Sequence, residues 1–325
     1  MRVRSAMSYR TPAPRRGPGA AIGLVVLLLA AVAALVAFLL LSPPGQLASS
    51  PSPTPSGTPT PTAEPTLDQA LLDARLTVLL IGKDANASRE AAGEPVNTDS
   101  LMLASVSADQ SEVTLISLPR DTVDIPLPSG ETFSGKVNSI YREQGVEALV
   151  DALRTLFATE IDGYVAIDMD DLPALVDAVG GVEVRPAEPI VDPIVNLSLD
   201  AGPQTLDGRT ALAYVRSRVD TDYGRAARQQ ELVLELIHAL TDTDADLDLA
   251  ALLDGLEGLE TDLPLDKLPT LVEIARRAGG AQETLQVLAP TEFISFEGDA
   301  GDGRGYVLIP DVAAIRAFVA EQIGD

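Results

Sequence analysis

The 325-residue chain has no cysteine and no tryptophan, one histidine, and only 4% aromatic residues. Without cysteine there is no disulfide, thiolate-held metal, iron–sulfur cluster or cysteine nucleophile. The one histidine, His238, falls on a helical stretch away from every motif below, so a Ser-His-Asp arrangement has no support. Basic residues are also scarce, 23 against 48 acidic ones, for a formal net charge of −25. Five of the 23, Arg2, Arg4, Arg10, Arg15 and Arg16, stand within the first 41 residues, which contain no acid. Beyond them 18 basic side chains face 48 acidic ones, a formal −30, which repels nucleic acid and excludes it as an expected partner.

What the chain does have is one long apolar run. Residues 20–41, "AAIGLVVLLLAAVAALVAFLLL", contain 22 apolar residues in succession. About 20 helical residues span the hydrocarbon of a bilayer. The run exceeds the ~7–15 residues of a secretory signal's apolar core, so it predicts an uncleaved transmembrane helix. The five arginines before it place residues 1–19 in the cytoplasm as a short tail, and everything after it outside. Residues 42–66, rich in Pro, Ser and Thr, have almost nothing to bury and read as an extended linker. The expected product is a single-pass cell-membrane protein with an extracytoplasmic domain over 68–325.

That domain alternates strand and helix signals. Strand-like runs stand at 75–84, 100–107, 112–119, 161–168 and 182–185, and amphipathic helical runs at 145–157, 170–181 and 311–323. Residues 186–205 carry few regular signals. The acidic, leucine-spaced stretch 242–270 reads as a solvated helical excursion. The pattern predicts an α/β fold with a mixed central sheet flanked by helices.

Against the acidic background, four arginines crowd into thirteen positions of "YVRSRVDTDYGRAARQQ" (214–230): Arg216, Arg218, Arg225 and Arg228. Positions i and i+2 face the same way only in extended chain, so "YVRSR" is expected as a strand presenting Arg216 and Arg218 together. Arg225, Arg228 and Gln229, at i, i+3 and i+4, share a face if 225–240 is helical, with Asp222 placed to cap its first turn. Arginine forks and helix N-termini both suit phosphate. Salt bridges to neighbouring acids are the alternative use of the same side chains. A second group combines "NTDSLML" (97–103) with "SLPRDTVDIP" (117–126). If the two strands pair antiparallel, Asp99, Arg120 and Asp121 meet at one sheet edge, where Asp84 can join them. Carboxylates around a phosphate point to Mg²⁺ or Mn²⁺; three unrelated loop acids are the alternative.

The ordered series "LLIGKD", "NTDSLML", "LISLPRDTVDIP", "KVNSIY", "DDLPALVDAVGGVEV", "LDGRTALAYVRSR" and "DYGRAARQQ" resembles the LytR–CpsA–Psr family over residues 76–240. The resemblance implies a phosphotransferase that moves a glycopolymer from a polyprenyl-pyrophosphate carrier to a hydroxyl of peptidoglycan, leaving a phosphodiester. It implies metal-associated carboxylates at Asp99 and Asp121, with Asp84 after the first strand. It implies pyrophosphate-gripping residues at Arg120, Arg216, Arg218, Arg225 and Arg228, with Gln229 beside them, and Lys136 and Asn138 as the "K-x-N" pair. Arg120, Asp121, Arg216 and Arg218 are the expected catalytic set, and Asp222 joins the pyrophosphate-binding group. Asn97 departs from the family, which often has arginine there. The sequence leaves the general base open among Asp84, Asp121 and Asp222. A polyprenyl-pyrophosphate hydrolase, or a module that only binds phosphorylated glycan or lipid, remains the alternative.

Overall fold

The computed structural model describes residues 67–84, 96–241 and 259–324. The expected tail, transmembrane helix and linker (1–66) and most of the acidic stretch lie outside the described residues. Among the described residues no helix is long and apolar enough to cross a membrane.

Six strands form the central sheet: β1 (Leu76–Lys83), β2 (Thr98–Val106), β3 (Glu112–Ser117), β4 (Gly163–Asp168), β5 (Glu260–Thr261) and β6 (Gln282–Val287). Their spatial order is β5-β4-β1-β2-β3-β6. β2 runs antiparallel to both β1 and β3, whereas β4 is parallel to β1 and β6 parallel to β3, so the sheet is mixed. β5 corrects the reading of 242–270 as helical: Glu260 and Thr261 pair with Ala166 and Val165 at the sheet edge.

Side chains alternate across the strands with period two. Leu79, Ile81, Leu101, Leu103 and Ile116 enter one core with helices α1 (Val146–Phe157) and, at the C-terminus, α6 (Val312–Ile323). The intervening residues face the other way. There Val78, Val106 and Val113 meet α5 (Leu268–Ala278), and Met102 and Leu115 meet Leu234 of α4 (Asp222–Thr241). Helices α2 (Leu172–Ala178) and α3 (Gly208–Arg216) close a further core against α4 through Leu175, Val215, Leu232 and Leu236. The region of few signals forms two small hairpin pairings, Ile190–Asp192 with Leu197–Leu199 and Val182–Val184 with Gln204–Leu206. A last hairpin, β7 (Ile294–Asp299) and β8 (Tyr306–Pro310), is attached to the chain after β3, because the Leu308 N–H donates to the Asp121 carbonyl (3.1 Å) and the Val123 N–H to the Leu308 carbonyl (2.9 Å).

Candidate active site

The antiparallel β2–β3 pair brings the two acidic motifs to one sheet edge. Asp99, the second residue of β2 rather than a residue before it, lies beside Arg120, whose Nη1 donates to both Asp99 carboxylate oxygens at 2.7 Å. Asp121 accepts from Lys136 Nζ at 2.6 Å and lies 3.7 Å from Arg120 Nε. The Asn138 N–H reaches the Arg120 carbonyl (3.4 Å) and the Val137 N–H the Thr122 carbonyl (2.7 Å), so the "K-x-N" segment braces the turn through its backbone.

The arginine-rich segment folds differently from expectation. "YVR" completes α3, which Asp207 opens by accepting from the Thr210 N–H (2.8 Å), and the residue that follows, Ser217, is extended. No strand forms. Buried Asp192 fixes the chain where the helix stops, accepting from Ser217 Oγ (2.8 Å) and the Arg218 N–H (3.2 Å). Arg216, the last helical residue, turns to Asp84 (3.1 Å), while Arg218 approaches Asp99 and Asp222, each at 3.6 Å. The cap of α4 is Thr221, whose Oγ1 accepts from the Gly224 N–H (3.0 Å); Asp222 occupies the first helical position instead.

Arg225 and Arg228 then part company. Arg228 spends its donors on the chain: on the Tyr214 carbonyl (3.1 Å), the Ser217 carbonyl (2.6 Å) and both oxygens of Asp220 (2.9 and 3.0 Å). It ties the end of α3 to α4. Arg225, only 5% exposed, meets Asp222 at 3.3 Å and Asp99 at 3.8 Å, both long for ion pairs, and its buried Nε has no hydrogen-bond partner. Burial, then the repulsion of Arg218 and Arg120, pulls its pKa down to about 10, so it remains charged at neutral pH. Burial also works against the charge of Arg120, but Asp99, Asp121 and Asp222 outweigh it and hold its pKa above the ordinary value.

Part of this constellation lines a cavity of about 230 Å³, with Arg218, Lys136 and Asn138 outside its lining. Asp99, Arg120, Asp121, Asp222, Arg225 and Gln229 all open onto it, with Glu297, Tyr306 and Leu308 of the hairpin as a further wall. Arg216, Asp84 and Arg228 are not in its lining, and Asn97 instead accepts from Arg142 (2.7 Å). Asp99 and Asp121 fit the way Mg²⁺ usually binds, through one or two carboxylates and substrate phosphate oxygens. Among the described residues no group of three or more acids or histidines forms a self-sufficient metal cage.

A second cavity, of about 120 Å³, adjoins the first: Ser100 and Gln229 line both. Its walls are almost wholly apolar, with Leu80, Met102, Val165 and Ile167 from the sheet, Met169 and Leu172 around α2, and Leu232, Val233 and Leu236 from α4. Gly82 lies in this groove, where a Cβ would stand 2.9 Å from that of Ser100. The family resemblance implies an apolar groove between sheet and helices but names none of its lining, and sequence reasoning missed the hairpin wall, the buried brace Asp192 and the exposed brace Asp220. An alternating strand pattern shows which residues are apolar, but not that a gap is left between the sheet and α4.

The LytR_cpsA_psr family description matches residues 49–303. Probable cell wall biosynthesis protein LcpB of Corynebacterium glutamicum is 36% identical over 176 residues, 53% of this chain and 39% of that protein. The polyisoprenyl-teichoic acid–peptidoglycan teichoic acid transferase TagU of Enterococcus faecalis is 30% identical over 217 residues, 65% of this chain and 69% of that one. The crystal structure of TagV from Bacillus subtilis shares the fold, with a TM-score of 0.60 at 22% identity over 77% of this chain and 98% of that one. The chain spans 39–61% of the length of three curated relatives, LcpB among them. With the family match covering well over half of its residues, the chain belongs to the LytR_cpsA_psr family.

Proposed function

We propose that the chain is a membrane-anchored extracytoplasmic phosphotransferase, taking a glycopolymer from a polyprenyl-pyrophosphate carrier and joining it to a peptidoglycan hydroxyl. The observation that carries this reading is the junction of two unlike cavities: one walled by buried, incompletely paired arginines, the other apolar, meeting at Ser100 and Gln229. A pyrophosphate carrying a prenyl chain has the same division of chemistry. Relatives named for polyisoprenyl-linked teichoic acid and peptidoglycan support the same substrate class.

Arg120 and Arg225 hold the pyrophosphate oxygens, and Arg218, close to the same two acids, adds charge from beside the cavity. Arg120, bonded to Asp99, and buried Arg225 are preset by the fold, which is where electrostatic stabilisation of a phosphoryl transition state is most effective. Gln229 and Ser100 mark the crossing from charged to apolar space, and the groove keeps the prenyl chain from water. Asp99 and Asp121 would hold Mg²⁺ or Mn²⁺ with the donor's phosphate oxygens, and when bound the ion supplies charge neutralisation and orientation. The acceptor hydroxyl oxygen attacks the phosphorus next to the sugar and gives up its proton to a cavity carboxylate, Asp121 or Asp222, while the bond from that phosphorus to the bridging oxygen breaks and polyprenyl monophosphate leaves. Asp84 and Arg216 act from outside the cavity, through their mutual pair next to Asn97. Residues 20–41 anchor the chain with residues 1–19 in the cytoplasm, which puts the site on the side where peptidoglycan lies.

The test is donor turnover by the full-length chain with a polyprenyl-pyrophosphate-linked sugar and soluble peptidoglycan, in Mg²⁺ and in EDTA. Release of polyprenyl monophosphate in Mg²⁺, suppressed by EDTA and by Arg120→Ala, is the expected result. Tight donor binding with no release under any metal condition would favour a binding module.

A further inference from the structure

The cavity has a wall that neither the pyrophosphate nor the prenyl groove uses. β7 and β8 pair Glu297 with Leu308 and Asp299 with Tyr306. Tyr306 and Leu308, two apart on β8, point to one face, and Glu297, opposite Leu308, points to the same face. That face looks into the cavity, but none of the three lines the apolar groove.

The wall is built in rather than draped over. Besides the two backbone bonds between Leu308 and residues 121–123, Arg304 in the hairpin loop donates to Asp124 (2.8 Å) and to the Ser134 carbonyl (3.0 Å). The hairpin is thus fastened at both ends to the segment that carries Arg120 and Asp121. The family match stops at residue 303, inside this loop, so β8 lies beyond it.

The chemistry of the wall also differs from the rest of the cavity. Four carboxylates line it. Asp99, Asp121 and Asp222 each have a lysine or arginine within ion-pair distance, whereas among the described residues Glu297 has none. Glu297 instead accepts from the Tyr306 hydroxyl, and Tyr306 remains 47% exposed. An uncompensated carboxylate repels a pyrophosphate, so this end of the cavity does not suit the donor. It suits a neutral ring bearing hydroxyls, which can stack on an aromatic face and donate to a carboxylate.

We propose that Tyr306 and Glu297 form the subsite for the acceptor sugar, Tyr306 as a stacking platform and Glu297 accepting a hydrogen bond from a hydroxyl of that sugar. This rests on the transferase reading above. In-line displacement requires the nucleophile to approach from the side away from the leaving group. The leaving lipid phosphate faces the Ser100–Gln229 junction, and the hairpin stands at the part of the cavity the groove does not reach.

The experiment measures steady-state transfer by the full-length chain, with a polyprenyl-pyrophosphate-linked sugar as donor and a soluble glycan-strand fragment of peptidoglycan as acceptor. Tyr306→Ala and Glu297→Gln are expected to raise the acceptor KM tenfold or more while the donor KM moves less than twofold. Tyr306→Phe, which keeps the ring, should stay within threefold of wild type. An acceptor KM unchanged in Tyr306→Ala and Glu297→Gln overturns the assignment, as does a parallel rise in both KM values. Calorimetric binding of the same fragment, which needs no turnover, separates the two readings. If the wild type transfers nothing, the transferase reading fails on its own. The subsite then stands if the fragment binds wild type and loses tenfold or more in Tyr306→Ala, and falls if it binds neither or both alike.

Discussion

Arg225 and Arg228 occupy the same helix three residues apart, and they are put to opposite uses. Arg228 has donors on two carbonyls and a carboxylate, so its removal leaves acceptors unmet at the α3–α4 turn. Arg228→Ala is expected to lower stability by about 2–4 kcal/mol, the cost of breaking a buried, hydrogen-bonded charge. Chemical denaturation will show it, with activity falling only as the fold does. Arg225 is the reverse case: buried, poorly paired and repelled by its neighbours. Arg225→Ala is expected to change stability by no more than about 1 kcal/mol, because strained functional groups contribute little to the fold. Its turnover should drop about 10²- to 10³-fold, the usual loss for one preorganised charge-stabilising donor. Comparing denaturation midpoint and kcat for the two variants checks both statements. The i, i+3 spacing put both arginines on one side of the helix. It did not say which would meet the C-terminal end of α3, since Asp192 and Asp220, which fix that end, come from stretches with no periodic signal.

At the scale of elements, the site depends on where helices stop. The chain leaves the helix at the extended Ser217, which lets the arginines diverge from a helical path, and so short a change of conformation leaves no periodicity to read. The strands were legible because each alternates apolar residues between two covered faces: β1, β2 and β3 were expected within two residues of where they lie. The hairpin β7–β8 was not singled out, since β7 is mostly exposed, β8 buries the neighbouring residues Val307 and Leu308 without alternation, and the loop between them is rich in glycine. The apolar groove beneath α4 makes its own prediction. Val233, half-buried on α4, faces the groove, so Val233→Asp is expected to raise the donor KM tenfold or more for a long prenyl chain. A donor whose chain is too short to enter the groove should show little change, and equal losses on both donors would remove the groove from substrate binding. Further along α4, His238 lies 3.6 Å from Glu235 and 3.2 Å from Glu283, and hydrogen bonds to these two carboxylates lift its pKa to about 9. Because the folded-state value lies above the unfolded one, its stabilisation is complete below about pH 6.5 and is lost as pH rises through 9. Thermal melts of wild type and His238→Gln should therefore differ more at pH 6 than at pH 9.5; a gap that does not shrink would contradict the assignment.

On the scale of the whole molecule, charge and fold divide the work. Beyond the apolar run the chain carries a formal −30, yet its buried cations collect at one sheet edge, between two strand ends and one helix start. An anion reaching them must be one the local field attracts strongly enough to overcome that background, which favours a multiply charged pyrophosphate over a carboxylate or monoester. The fold supplies the other half through a sheet that is covered tightly on the α1–α6 side and left partly open beneath α4. The charged half was readable from motif order; the lining of the apolar half was not, because it is a gap between elements rather than a property of any one of them. The most direct measurement follows the phosphorus next to the sugar by ³¹P NMR, in a donor incubated with the full-length chain, Mg²⁺ and peptidoglycan. The account predicts that this phosphorus appears as a phosphodiester on the acceptor, and that Arg225→Ala slows its appearance about 10²- to 10³-fold. Its appearance as a sugar phosphate monoester, with acceptor present and unmodified, would contradict transfer and make the protein a hydrolase.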